Sequence, residues 1–355
     1  MFINVADLPG ILIAVQCGIF FLILISDRGR KRRSNRILAT FLLLLGIQFL
    51  AITLDVLSIS NFLSWTYCLF GFCYGPLLYL YVRSLAYESI GFKPLDLLHT
   101  LPLLLFGIFT IIGISFCQTL GPAFYLSLFI YVALGIKEIL TYRKILIQTQ
   151  SSAAFTDLSW IQWFMILFCT VLVLDVLDQF VLDVTSYYGV SLVHLALLFL
   201  VNWITYKGFK APEIFFMGIS ESDKRVLDDV TEKREATQQD QADFEIIRNY
   251  VETNRSYVNA ELSLQDLAGQ LGYPAKHVSF VINSVGGKNF MNFINDYRLN
   301  EAVHFLNHPS DPGETVNEVM YRVGFNSKSS FFTLFKKKTG YTPSAFKARH
   351  QKKTD

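Results

Sequence analysis

Charge is scarce in this chain and unevenly placed: only 17% of its 355 residues are Asp, Glu, Lys or Arg, against 52% hydrophobic and 15% aromatic. That balance is too apolar for a string of soluble domains. Cysteine is sparse as well. Cys17, Cys68, Cys73, Cys117 and Cys169 all precede position 170, and none stands at metal-ligand spacing from a histidine. The C-terminal half therefore has neither a disulfide framework nor a zinc-nucleated fold. No HExxH, GxSxG or Walker loop occurs, and no kinase or phosphatase motif. The chain is not expected to be an enzyme, and no cofactor or metal is expected.

Lys and Arg are missing from alternate breaks between apolar runs. Residues 1–210 read as long apolar stretches separated by short polar breaks, with spans near 8–26, 37–57, 63–83, 95–114, 122–141, 160–180 and 189–206, each close to the ~20 residues that cross a bilayer. All 13 Lys and Arg before position 211 fall after span one (Arg28, Arg30, Lys31, Arg32, Arg33, Arg36), after span three (Arg83, Lys93), around the end of span five (Lys137, Arg143, Lys144) or after span seven (Lys207, Lys210). The breaks near 1–7, 58–62, 115–121 and 181–188 hold none. Positive charge marks the cytoplasmic side, so the amino terminus is expected outside and the carboxyl terminus inside. The first run is not read as a signal peptide, because its positive charges follow the apolar stretch and no small-residue cleavage site appears. A buried core of a large soluble helical protein is the competing reading; Ile37–Phe41–Leu45 and Val190–Leu200 are apolar all round, without the polar face a surface helix needs.

Composition then turns polar. Residues 211–242 are expected to form a cytoplasmic linker, and residues 243–355 a soluble domain that opens with Phe244, Ile247 and Val251 facing inward. In that domain Thr315 and Glu318 form a capping box ahead of Val316, Val319, Met320 and Val323, Gly324 ends the helix, and a second helix over about 328–338 carries Phe331, Leu334 and Phe335. An earlier unit repeats the design. Ser263 and Asp266 form its box, Leu264, Leu267, Leu271, Gly272 and Tyr273 correspond to Val316, Val319, Val323, Gly324 and Phe325 at an offset of 52, and Val278, Val281, Ile282 and Gly287 to Phe331, Leu334, Phe335 and Gly340 at 53. Residues 289–307 predict a stiff connecting helix of roughly 27 Å at ~1.5 Å per residue.

With Leu264-Gln265-Asp266-Leu267-Ala268, Gly272-Tyr273, Arg298, Ala302, the run from Gly324 to Phe331, Phe335-Lys336-Lys337 and Gly340-Tyr341-Thr342-Pro343-Ser344, residues 243–350 resemble the DNA-binding domain of the AraC family of bacterial transcription regulators, over roughly 30% of the chain. The fold class expected is therefore all-α, a polytopic transmembrane helical bundle followed by an AraC-type tandem helix-turn-helix domain. The partners implied are double-stranded promoter DNA and a lipid bilayer, in the inner (cytoplasmic) membrane of a bacterium. RNA polymerase, a homodimer and an unknown small-molecule or membrane signal stay open, as does a seven-span receptor or transporter-like protein whose cytoplasmic domain serves in partner binding.

Nine Lys or Arg and no acidic residue lie between Arg322 and Lys353, a supply of phosphate contacts. Helical phase and similarity to the family place Lys276, His277, Ser279, Phe280 and Asn283 on the outer face of the first unit's second helix, and Lys328, Ser329, Ser330, Thr333, Lys336 and Lys337 on that of the second unit. Phe280 reads equally as core, and His277 as a neutral surface residue. Pro274 replaces the usual N-cap serine, and Ser284-Val285-Gly286-Gly287 lacks a basic helix end, so the first unit is expected to grip more weakly. In the membrane half, Asp55, Asp175, Asp178, Asp183 and His194, near Trp65, Tyr67, Tyr187 and Tyr188, are candidates for a ligand pocket at the outer ends of the spans. Headgroup contact or interhelical bonding is the plainer account of them.

Overall fold

A computed structural model describes residues 8–26, 32–56, 67–87, 94–101, 104–105, 107–108, 121–152, 158–177, 192–210, 234–308 and 313–351. The chain divides into two compact units, Met1–Leu140 with Leu158–Gly218, and Thr141–Asp157 with Ile219–Asp355. Every regular element among the described residues is helical.

The first unit contains α1 (Leu8–Ser26), α2 (Arg32–Val56), α3 (Tyr67–Ala86), a 3-10 turn over Pro94–Thr100, most of α4 (Gly121–Thr149), α5 (Ser159–Leu177) and α6 (Leu192–Lys210). Helix α1 packs on α2 and α6, α2 also packs on α3, and α5 on α6. Small residues set these approaches: a Cβ on Gly71 or Gly75 of α3 would lie 2.8 Å from the Phe124 ring or 2.7 Å from the Tyr131 ring of α4. The spacing of those two glycines, one turn apart, lets the aromatic side chains of α4 settle against the backbone of α3. Gly135 does the same for Met165 of α5.

Four described helices, α1, α2, α4 and α5, are long and apolar enough to cross a membrane, and α6 is a shorter apolar helix over Val193–Lys207. Their outward faces carry large apolar side chains, among them Leu22 at 62% exposure, Leu126 at 62% and Trp163 at 61%. Soluble monomers rarely expose contiguous apolar surface of this kind. The expected spans at 8–26, 37–57, 63–83, 122–141, 160–180 and 189–206 each overlap one of the helices α1–α6, of which α3 is not among the four of crossing length and apolarity. The span expected at 95–114 begins in the 3-10 turn over Pro94–Thr100, and most of its remainder lies outside the described residues.

The second unit is built on α10 (Phe290–Asn307), the long connecting helix expected over 289–307, which Asn289 caps. Preceding it are α7 (Gln238–Thr253), a 3-10 turn over Ser256–Val258, α8 (Leu264–Leu271) and α9 (Ala275–Ser284). After it come α11 (Val316–Arg322), α12 (Lys328–Thr339) and α13 (Pro343–Gln351). The first half of α10 gives Phe290, Phe293 and Ile294 to a core with Ile247, Leu264, Leu267, Val278 and Ile282. The second half gives Leu299, Ala302 and Leu306 to a separate core with Val319, Val323, Phe331, Phe335 and Phe346. One helix thus carries two modules.

The repeat holds at backbone level. Capping boxes close at Ser263–Asp266 and Thr315–Glu318, and Gly272 and Gly324 take φ of 71° and 92° at equivalent positions, as do Gly287 and Gly340 at 63° and 81°. At Gly324 a Cβ would also meet the Tyr257 and Val258 carbonyl oxygens at 2.6 Å. Polar capping extends further back than the linker expectation of 211–242 allowed. Thr237 and Asp240 form a third capping box that opens α7 at Gln238, ahead of the expected domain start at 243.

Candidate nucleic-acid interface

Each module presents its second helix, α9 or α12, as the element whose outer face is free of its own core. On α12 the inward positions are Phe331 and Phe335, and the outward ones Lys328, Ser329, Thr333, Lys336 and Lys337 are all exposed. Ser327 caps the helix through its Oγ and the Ser330 amide, which holds Ser330 half-buried at the first turn. The ammonium of Lys328 lies 5.4 Å from the Phe332 ring centroid, and Lys338 reaches Asp296 of α10 at 3.4 Å. The face is cationic, hydroxyl-bearing and open, which suits phosphate contacts flanking a few base-edge contacts.

The α9 face is different. Lys276 is exposed, as helical phase predicts, but Ser279 is fully buried. Ser279 lies one turn from Asn283 on the same face of α9, its Oγ 3.4 Å from the Asn283 amide nitrogen, but it is covered there and is not the exposed group that helical phase predicts. His277 Nε2 lies 2.7 Å from Asp243 Oδ2, with Gln239 and Tyr273 also donating to Asp243. The hydrogen bond with His277, chiefly, holds the Asp243 carboxyl below the usual carboxylate range. Phe280 packs against the first core, and the Arg234 guanidinium covers its ring at 3.9 Å. Asn283 donates to the Gln148 side chain at 2.9 Å and to the Ser279 carbonyl at 2.7 Å. Pro274 stands at the N-cap without a side-chain bond, as its sequence predicts.

Asp240, Asp243 and His277 bring possible metal-ligand atoms within 4.8 Å of one another. Their oxygens are already committed. Arg234 grips both oxygens of Asp240 at 2.7 and 3.0 Å, and Thr237 closes the cap on it. These bonds depress the Asp240 pKa well below its ordinary value, the Arg234 bond most. The cluster is a structural tie between the arm at Arg234, α7 and α9.

Residues outside the expected set matter equally. Arg298, on α10 between the two cores, is fully buried. Its Nε donates to Tyr257 O at 2.6 Å, Nη1 to Ser151 O at 3.1 Å and Asn295 Oδ1 at 3.2 Å, and Nη2 to Asn259 O at 2.7 Å and Ser151 Oγ at 3.0 Å. All five acceptors are neutral, and burial lowers its pKa to about 10. Sequence signals for the partner segment were weak: Gln148-Thr149-Gln150-Ser151-Ser152 is a polar, uncharged tail on an apolar helix, legible only as a helix end.

In the first unit, α5 brings Asp175 to the Tyr125 hydroxyl of α4, and His194 of α6 meets the Phe49 ring edge-on at 5.2 Å. Asp55 lies on α2, but its side chain, together with Asp178 and Asp183, lies outside the described residues. His99 and Arg83, by contrast, hold the 3-10 turn: His99 Nδ1 is 2.9 Å from Tyr131 Oη, and Arg83 pairs with buried Asp96 at 2.7 Å.

Comparison with known proteins agrees with this geometry. Over 98 residues the chain is 33% identical to an uncharacterized HTH-type transcriptional regulator from the cgkA 5′ region of Pseudoalteromonas carrageenovora, a match covering 28% of this chain and 54% of that protein. Over 91 residues it is 32% identical to the uncharacterized HTH-type transcriptional regulator YdeC of Bacillus subtilis, covering 24% of this chain and 29% of that protein. The chain thus spans about half the length of one relative and under a third of the other. No solved structure matches it. Residues 267–349 match the family model described as a helix-turn-helix domain, and the C-terminal part of the chain therefore carries one.

Proposed function

We propose that the protein is a membrane-embedded, sequence-specific transcription regulator. Seven spans, amino terminus outside, hold its tandem helix-turn-helix domain at the cytoplasmic face of a bacterial inner membrane. The observation that carries this reading is the pair of capped helix-turn-helix modules strung on one 18-residue helix, with a cationic open face on α12. A helix of 18 residues is about 27 Å long, so the two recognition helices can address successive major grooves of one duplex. Support for the membrane half comes from four helices of crossing length and apolarity and from the Lys and Arg distribution.

The regulator works by position instead of catalysis. Lys336, Lys337 and their neighbours fix register on phosphates, Ser329 and Thr333 read base edges, and Lys276 supplies the weaker first-module contact. A signal received in the membrane region, with Asp175 and His194 among the candidate receiving groups, would shift the population of DNA-competent domains. Hydroxyl-radical footprinting with the full chain in nanodiscs tests the reading. Two protected patches on one face of the duplex, about one helical turn apart, are expected. A single patch, or protection no better than that given by empty nanodiscs, would refute it.

A further inference from the structure

The DNA-binding unit includes a piece of chain from far upstream. Thr141–Asp157, the end of α4 and the residues that follow it, group with residues 219–355. Within that piece, Gln148 to Ser152 touches three parts of the domain. Gln148 Oε1 accepts from Asn283 of α9 at 2.9 Å. Gln150 makes an isolated antiparallel bridge with Ser263, and the Ser151 amide donates to Leu262 O at 3.2 Å, so the segment adds backbone pairing at the foot of α8. Ser151 fills two of the five acceptor positions around buried Arg298, and Ser152 Oγ donates to Asn326 Oδ1 at 2.8 Å, just ahead of α12. Thr149 and Ser151 are each 1% exposed. A five-residue segment thus lies in the seam between the modules and bonds the first module, the connecting helix and the second.

We infer that Gln148–Ser152 is an autoinhibitory clasp: seated in the seam, it ties up Asn283 on the first recognition helix and fixes the angle between the modules. This rests on the DNA-binding reading above. Three observations support inhibition over a merely structural role. Asn283 is the outer-face amide of α9, and adenine recognition needs both ends of such a group. The neighbouring Phe280 ring is covered by Arg234 in the same conformation, so the first module's reading face is engaged on two sides while α12 is open. Arg298 bonds only neutral acceptors, so losing Ser151 would cost it two bonds at once and make release a discrete event instead of a gradual one. Since α4 runs without a break from Gly121 in the apolar unit to Thr149, movement of that helix along its axis would pull directly on the clasp.

The experiment uses the full chain in nanodiscs with two cysteine pairs, Gln150→Cys with Ser263→Cys, and Ser152→Cys with Asn326→Cys. The first pair exploits cross-strand neighbours, whose separation suits a disulfide; the second leaves the Ser263 cap intact. Crosslinked peptides are identified by mass, which separates them from bonds to Cys17, Cys68, Cys73, Cys117 or Cys169. Each variant is then titrated, oxidised and reduced, against the duplex pool that the unsubstituted chain enriches from random-sequence DNA. Both pairs are expected to crosslink, each oxidised form is expected to bind at least about tenfold more weakly than its reduced form, and Gln148→Ala is expected to bind about threefold or more tightly than the parent. Failure of both pairs to crosslink, or equal affinity oxidised and reduced, would overturn the clasp alone. If the unsubstituted chain enriches no duplex, the DNA-binding reading fails and the clasp falls with it.

Discussion

A guanidinium surrounded by neutral oxygens is held by geometry alone. Arg298 reaches Tyr257, Asn259, Asn295 and Ser151 at once, which only a planar five-donor fork can do. Arg298→Ala would leave buried carbonyls without donors and is expected to cost at least about 3 kcal/mol, with Arg298→Lys recovering little of it, as read by denaturant unfolding of the helix-turn-helix unit's signal in the intact chain. Gly324 is constrained twice, by φ of 92° and by carbonyls 2.6 Å from any Cβ. Gly324→Ala should lose about 2 kcal/mol or more by the same measurement, whereas Ala at exposed Gly269, where a Cβ meets nothing within 4 Å, should be neutral or slightly stabilising. Asp240 and Asp243 have folded pKa values below that of a free Asp, so the folded state sheds their protons first. Their stabilisation is complete above the unfolded value of about 4 and fades as pH falls through and below it. Asp240→Asn should therefore flatten the acid limb of a stability–pH curve while leaving its neutral end lower. An unchanged acid limb would show that Arg234 and Thr237 do not anchor this carboxylate.

At the scale of elements, the two recognition helices differ in what covers them. Lys336 and Lys337 lie exposed on α12, while α9 offers exposed Lys276 beside engaged His277, Phe280 and Asn283. Replacing Lys336 and Lys337 with Ala should weaken binding more than Lys276→Ala and lower the salt slope of binding by about two units, since each phosphate contact contributes about 0.9. Equal losses in a gel-shift titration would contradict the asymmetry. Much of this was legible beforehand, because it is local: the boxes at Ser263 and Thr315, the closing glycines and the inward Phe331 and Phe335 follow from caps and helical period within a dozen residues. What was not legible is non-local. Helical phase placed Ser279 and Asn283 on one face of α9, but the residue that engages that face, Gln148, stands 135 positions from Asn283 in sequence. Nothing near Arg298 in sequence announces Ser151, because 147 residues separate them.

For the whole molecule, the membrane half is argued from two independent patterns, helix length with apolarity and the side on which Lys and Arg fall. Reporter fusions after residues 33, 145 and 355 are expected to report the cytoplasm, and fusions after residues 60 and 185 the outside. A fusion after 355 reporting the outside would reverse the topology and remove the domain from DNA. The most direct test joins both halves. After brief formaldehyde treatment of cells, the full chain is recovered from detergent-extracted membranes and its bound DNA sequenced. Discrete enriched sites are predicted, lost in a Lys328→Ala, Lys336→Ala, Lys337→Ala variant that is still present in the membrane at parental level. Recovery of the chain without detergent, or DNA equally abundant and equally scattered with parent and variant, would contradict a membrane-held DNA reader.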